Sequence, residues 1–147
     1  MANPFFQRVV VPVANRDDAA ATTAALLPYV AGTGSTVIAV HVIEKAGGAP
    51  DKASVEQLEQ RGDDIFRIVT EGFDDTEVVL ETDLRYGTDI ASSIVGTAHD
   101  RSASAIVFTP RGGSRWRKLL SGDVTHNLVR SSDLPIVVLP DREEAEA

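Results

Sequence analysis

Along the chain, short unbroken apolar runs alternate with longer stretches in which apolar residues return every three or four positions. The first run is Arg8-Val9-Val10-Val11-Pro12-Val13, and the second is Thr36 to Ile43, with His41 as its only strongly polar member. Continuous rather than alternating apolarity marks strands covered on both faces, as in a parallel sheet. Val78 to Leu84, Ala105 to Phe108 and Pro135 to Leu139 supply three more, with Glu81 and Asp83 expected to face outward or to sit near the end of theirs.

Helical patterns fill the intervals. Asp17-Asp18 offers an N-cap and first-turn negative charge to an Ala-rich helix ending near Ala31, Pro28 is expected to bend or shorten its last turns, and Gly32 and Gly34 mark the exit. Residues 44–53 have loop composition. Ser54-x-x-Gln57 then reads as a capping box, opening a helix that carries Val55, Leu58, Ile65 and Val69 on one face and stops at Gly72. Tyr86-Gly87 turns the chain, and Thr88 caps a helix with Ile90, Ile94 and Ala98 as its stripe. Gly122-Asp123-Val124-Thr125 opens a last helical pattern, which runs to Arg130. Parallel neighbours need crossover connections that helices supply, so this alternation predicts a single α/β domain, a three-layer sandwich with helices on both faces of the sheet.

Such sheets bind ligands outside the carboxyl ends of their strands, which directs attention to Val13-Ala14-Asn15, Val42-Ile43 and Thr109 through Thr125. The last of these includes Arg111-Gly112-Gly113-Ser114-Arg115-Trp116-Arg117-Lys118, four cations and a tryptophan leading to a helix N-terminus. Unpaired backbone amides and arginine forks both suit a phosphate. The same loop also reads as a solvated connector whose arginines offset an acidic surface.

Composition narrows the chemistry. A net charge of −8 disfavours nucleic acid and anionic membrane as partners, since both demand clustered positive charge. Absence of cysteine removes disulfides and thiol catalysis, and neither a signal peptide nor a membrane-spanning run is apparent, so a cytoplasmic location is expected. Only three lysines accompany numerous aspartates, a balance resembling that of proteins from salt-rich cytoplasm. The first strand is followed by Ala14-Asn15-Arg16-Asp17, which is neither the glycine fingerprint of a dinucleotide fold nor the acidic pair of a phosphoacceptor receiver domain. His41, His99 and His126 show no metal or catalytic spacing, and neither Ser114 nor Ser121 has an evident base. No catalytic residue and no metal ligand is expected.

Taken together, Val9 to Val13, Val40-His41-Val42-Ile43, Gly87-Thr88-Asp89-Ile90, Ala105 to Phe108, Leu119 to Thr125 and Pro135 to Pro140 resemble, in order and spacing, the universal stress protein family. The resemblance implies a five-stranded parallel sheet in the order 3-2-1-4-5. It assigns residues 1–140 to the domain and residues 141–147 to an acidic tail. Nucleotide-binding members carry G-x-x-G, nine residues and G-[ST], with an Asp after the first strand. By resemblance the candidate binding positions are Pro12, Val13, Ala14, Val42, Thr109, Arg111, Gly112, Gly122, Asp123, Val124 and Thr125.

Three of the five motif positions depart: Thr109 and Asp123 stand in the glycine motif, and Ala14 stands for the Asp. Thr109 adds bulk where the backbone would approach a ligand, and Ala14 cannot accept a hydrogen bond from ribose or adenine. Asp123 satisfies helix amides itself and repels phosphate; unit charges ~4 Å apart repel by roughly 1 to 4 kcal/mol. The reading is a dimeric cytoplasmic binding or regulatory module in stress response, with ATP binding lost or weak and no cofactor expected. The alternative is a nucleotide-binding member taking ATP or AMP through Gly112, Gly122 and the helix N-terminus; a weak ATPase comes third. The expected partners are a second copy, paired through the fifth strand, and an unidentified protein.

Overall fold

Val9, Val10 and Val11 are buried because their strand, β1 (Arg8–Pro12), is the middle of the sheet, paired in parallel with β2 (Thr36–Glu44) on one side and β4 (Ala105–Phe108) on the other. The computed structural model describes residues 6–44, 52–108, 128–130 and 132–139. Beyond β2 lies β3 (Val79–Gly87), and beyond β4 lies β5 (Ile136–Val138), all parallel, giving the order β3-β2-β1-β4-β5.

The pleat sends alternate side chains to two separate cores. Val9, Val11, Val13, Val37 and Ala39 pack beneath α1 (Arg16–Val30) and α2 (Lys52–Gly72), where Leu26, Val30, Ile65 and Val69 are buried. Val10, Ile38, Val40 and Ile106 pack beneath α3 (Ile90–Asp100), with Leu128 of the helical residues 128–130 in the same cluster. Helices thus cover both faces of one sheet, as the alternation of patterns predicts. No described helix is long and apolar enough to cross a membrane.

Several boundaries differ from the sequence reading. The N-cap of α1 is Asn15, whose side-chain oxygen accepts the Asp18 amide at 2.8 Å; Asp17 and Asp18 are already in the first turn. As expected, the helix runs past Pro28 to its end near Ala31, whose N–H still reaches the Leu27 carbonyl at 2.9 Å. Gly32 and Gly34, both at φ +73°, then turn the chain toward β2. Helix α2 begins at Lys52, so Ser54 lies inside it and is not its cap. Asp89 caps α3 in place of Thr88, accepting the Ser92 amide at 3.0 Å.

Strand β3 continues through Tyr86-Gly87, where a turn was expected, because β2 offers a matching partner as far as Glu44. Nor do Glu81 and Asp83 simply face solvent. Arg101, just past α3, reaches Glu81 and Asp83 at 3.0 Å each, and Arg85 joins Asp83 and Asp100 at 2.8 Å each. Hydrogen bonds from Arg85, then Arg101, hold the Asp83 carboxyl below its ordinary range. This network fastens the end of α3 to the outer strand, and charge on that strand discourages pairing with another chain.

Candidate ligand edge at the carboxyl ends of the strands

At the end of β1 the backbone keeps its place in the sheet for one more residue, Val13 N–H donating to the Val40 carbonyl at 2.9 Å. Two side chains then take hold of the next peptide. His41, on β2, places Nδ1 2.8 Å from the Val13 carbonyl. A carbonyl only accepts, so Nδ1 carries the proton in this contact. From the first turn of α1, Asp18 Oδ2 accepts the Ala14 amide at 2.8 Å.

Both side chains are built in by their neighbours. A Cβ at Gly62 would stand 3.6 Å from the His41 ring and 3.0 Å from Leu84 Cδ1, so this bare point on α2 leaves room for both side chains beneath it. Asp18 is 2% exposed and also receives the Thr22 hydroxyl at 3.2 Å. Burial pushes its carboxyl up from 3.8 to about 7, against the opposing pull of the Ala14 amide and the Thr22 hydroxyl, which favour the charged form.

The described candidates fall on different faces of this edge. Ala14 and Val42 are half-buried and pack against the core beneath α3, so they lie on one face at the ends of adjacent strands. Val13 is 1% exposed and belongs to the opposite core, beneath α1 and α2; Pro12 is buried. Any contact from Val13 to a ligand is therefore through its backbone. Thr109, Arg111, Gly112, Gly122, Asp123, Val124 and Thr125 lie outside the described residues, although β4 runs to Phe108 and so delivers the chain to this same edge.

Sequence reasoning singled out the exits of β1 and β2 but missed Asp18 as part of the edge, taking it for a capping acid. The available signal was its helical i, i+4 spacing to Thr22, which places a hydroxyl one turn below a carboxyl. At the exit of β1, Ala14 and Val42 present half-buried apolar side chains on one face. Ala14 brings no side-chain acceptor, and its amide is already engaged.

Among solved structures, universal stress protein UspA from Lactobacillus plantarum is similar to this chain at 21% identity, over 93% of this chain and 99% of the other, with a TM-score of 0.73. The universal stress protein from Archaeoglobus fulgidus in complex with dAMP is similar at 17% identity, over 92% and 98%, with a TM-score of 0.62. An Arabidopsis thaliana universal stress protein family protein with AMP bound is similar at 11% identity, over 96% and 95%, with a TM-score of 0.65. A comparison with curated proteins found no match. The model of the universal stress protein family matches residues 5–140, a span that includes every described residue. The chain belongs to the universal stress protein family.

Proposed function

We propose that this universal stress protein is a cytoplasmic binding or regulatory module of the stress response that works as a dimer and binds ATP weakly or not at all. The observation that carries the reading is at Ala14: the exit of β1 presents a methyl group in place of a carboxylate, and its amide is taken by Asp18 at 2.8 Å. A ribose or adenine donor arriving there meets no side-chain acceptor at Ala14. Asp123 at the following helix N-terminus, read from sequence, acts in the same direction.

The dimer is supported by β5, the outermost strand on its side, whose Val138 is 51% exposed. Among the described residues no strand pairs with the outer side of β5, and a second copy would cover that apolar β-branched edge by pairing across a two-fold axis.

A second reading, a nucleotide-binding module for AMP or ATP, is favoured by the half-buried apolar side chains of Ala14 and Val42 and by the dAMP and AMP held by the two relatives named above. A monophosphate brings less charge than ATP toward Asp123, read from sequence. Mass spectrometry of small molecules released from freshly purified protein separates the two: no bound nucleotide is expected, and stoichiometric AMP or ATP would establish the second reading.

A further inference from the structure

The Val13–Ala14 peptide is held at both of its polar ends by side chains that can carry a proton. Its carbonyl faces His41 Nδ1 and its amide faces Asp18 Oδ2, each at 2.8 Å. The two grips come from different directions, His41 from β2 beneath Gly62 of α2, and Asp18 from the first turn of α1. Both groups are largely withdrawn from solvent, at 9% and 2% exposure. A lone peptide at a strand end is ordinarily satisfied by backbone or water. Here two separate elements are committed to one peptide bond, at the point where the chain leaves the sheet for the ligand edge.

We propose that Asp18 and His41 are positioning residues for the exit of β1: together they fix the plane of the Val13–Ala14 peptide, and with it the placement of Ala14 and Asn15. Asn15 is tied into the same arrangement, since its side chain accepts the Asp18 amide while its carbonyl accepts the Ala19 amide at 2.9 Å. A change in the Asp18 side chain is therefore felt on both sides of Ala14. The consequence for ligand binding rests on the reading of this end of the sheet as the ligand edge; the arrangement of the peptide does not.

The grip is tied to protonation. As a carboxylate, Asp18 accepts from both the Ala14 amide and the Thr22 hydroxyl; once protonated, one oxygen still accepts from Ala14 while the other can donate to Thr22. The hydrogen bond to Ala14 thus persists in both states but weakens when the acceptor loses its charge. Arg16 and Asp17 stand exposed on the same helix as Asp18, and His41 stands on β2. On α2, which packs against α1, the charged residues Glu56, Glu59, Arg61, Asp63, Arg67 and Glu71 are exposed. Asp64 of α2 engages both Arg16, at 2.9 Å, and Arg67, at 3.7 Å. Among the described residues no cation pairs with Asp18, so burial governs its proton, pushing it up to about 7.

The test uses the full chain without ligand, so failure of the nucleotide reading leaves it untouched. The Asp18 side-chain carboxyl carbon and the Ala14 amide are followed by NMR from pH 5 to 9. Both signals are expected to move together with one midpoint near 7. In Asp18→Asn, whose amide can serve Ala14 and Thr22 alike, the Ala14 midpoint is expected to vanish while its amide stays protected from hydrogen exchange. In His41→Leu the Val13 carbonyl signal should shift, and in His41→Asn, which keeps a donor near the Nδ1 position, it should largely return. An Ala14 amide that fails to follow the Asp18 carboxyl in the unmodified protein, or titrates unchanged in Asp18→Asn, would overturn the proposal. The wild-type measurement decides the Asp18 contact even if a variant does not fold, and a Val13 carbonyl signal unmoved in His41→Leu would overturn the His41 contact.

Discussion

Gly72 lies directly against Thr23: a Cβ placed on Gly72 would overlap Thr23 Cγ2, far inside van der Waals contact. Helix α2 approaches α1 as closely as it does because position 72 has no side chain. Neighbouring Phe73 and Val69 are buried in the core these helices share. Overpacking of this kind costs about 1 to 3 kcal/mol. Gly72→Ala should therefore lower the chemical-denaturation stability by that amount, even though alanine is the better helix former. Adding Thr23→Ser, which removes the offending methyl and keeps the hydroxyl, should restore part of the loss. Equal stability of Gly72→Ala and wild type would contradict the packing described.

Asp18 sets a pH dependence with a defined sign. Its folded value, about 7, lies above its unfolded value of 3.8, so the folded state holds this proton more tightly. Stability from this group is complete below 3.8 and is lost as pH rises to about 7, the full difference corresponding to about 4 kcal/mol. Asp83 works in the opposite sense, its contribution being lost as pH falls into and below the carboxylate range. Comparison with Asp18→Asn isolates the first effect. The variant should be more stable than wild type at pH 8, by up to about 4 kcal/mol, with the advantage shrinking toward pH 4. An advantage independent of pH would contradict the burial argument.

The proposed assembly through β5 makes Val138 the residue to change. Placing a lysine at this half-exposed position puts a charge into the apolar edge that a second copy would cover. Val138→Lys should shift the sedimenting species from dimer toward monomer at a given concentration. A monomeric wild type, or an unchanged mass for the variant, would count against pairing through this strand.

The fold was legible wherever the apolar runs were continuous. Val9 to Val11 and Val37 to His41 are buried on both sides of the sheet, and such burial leaves a mark that needs no knowledge of neighbours. What misled were local signals overruled by tertiary context. Asp17-Asp18 has the composition of a cap, yet Asn15 stands where the chain leaves the sheet and so takes that role. Tyr86-Gly87 has the composition of a turn, but pairing with Ile43-Glu44 keeps it in the strand.

The candidate site was legible in part, for a similar reason. A rule about strand ends located the exits of β1 and β2. That Ala14 and Val42 share one face while Val13 turns to the other follows from the pleat once the sheet is known. Nothing in a pair of adjacent aspartates tells which one is enclosed. Asp18 is buried and Asp17 exposed because the helix turns only the former toward the β1 exit.

The central claim, that the exit of β1 no longer serves ATP, is tested most directly by titrating the nucleotide-free protein with MgATP in a calorimeter. Ala14 supplies no side-chain acceptor, and its amide is bound to Asp18. The result predicted is no saturable heat, corresponding to a Kd weaker than about 1 mM. A one-to-one isotherm with a Kd of about 1 μM or tighter would contradict the account, since it would require at least ~4 kcal/mol of binding free energy more than that limit.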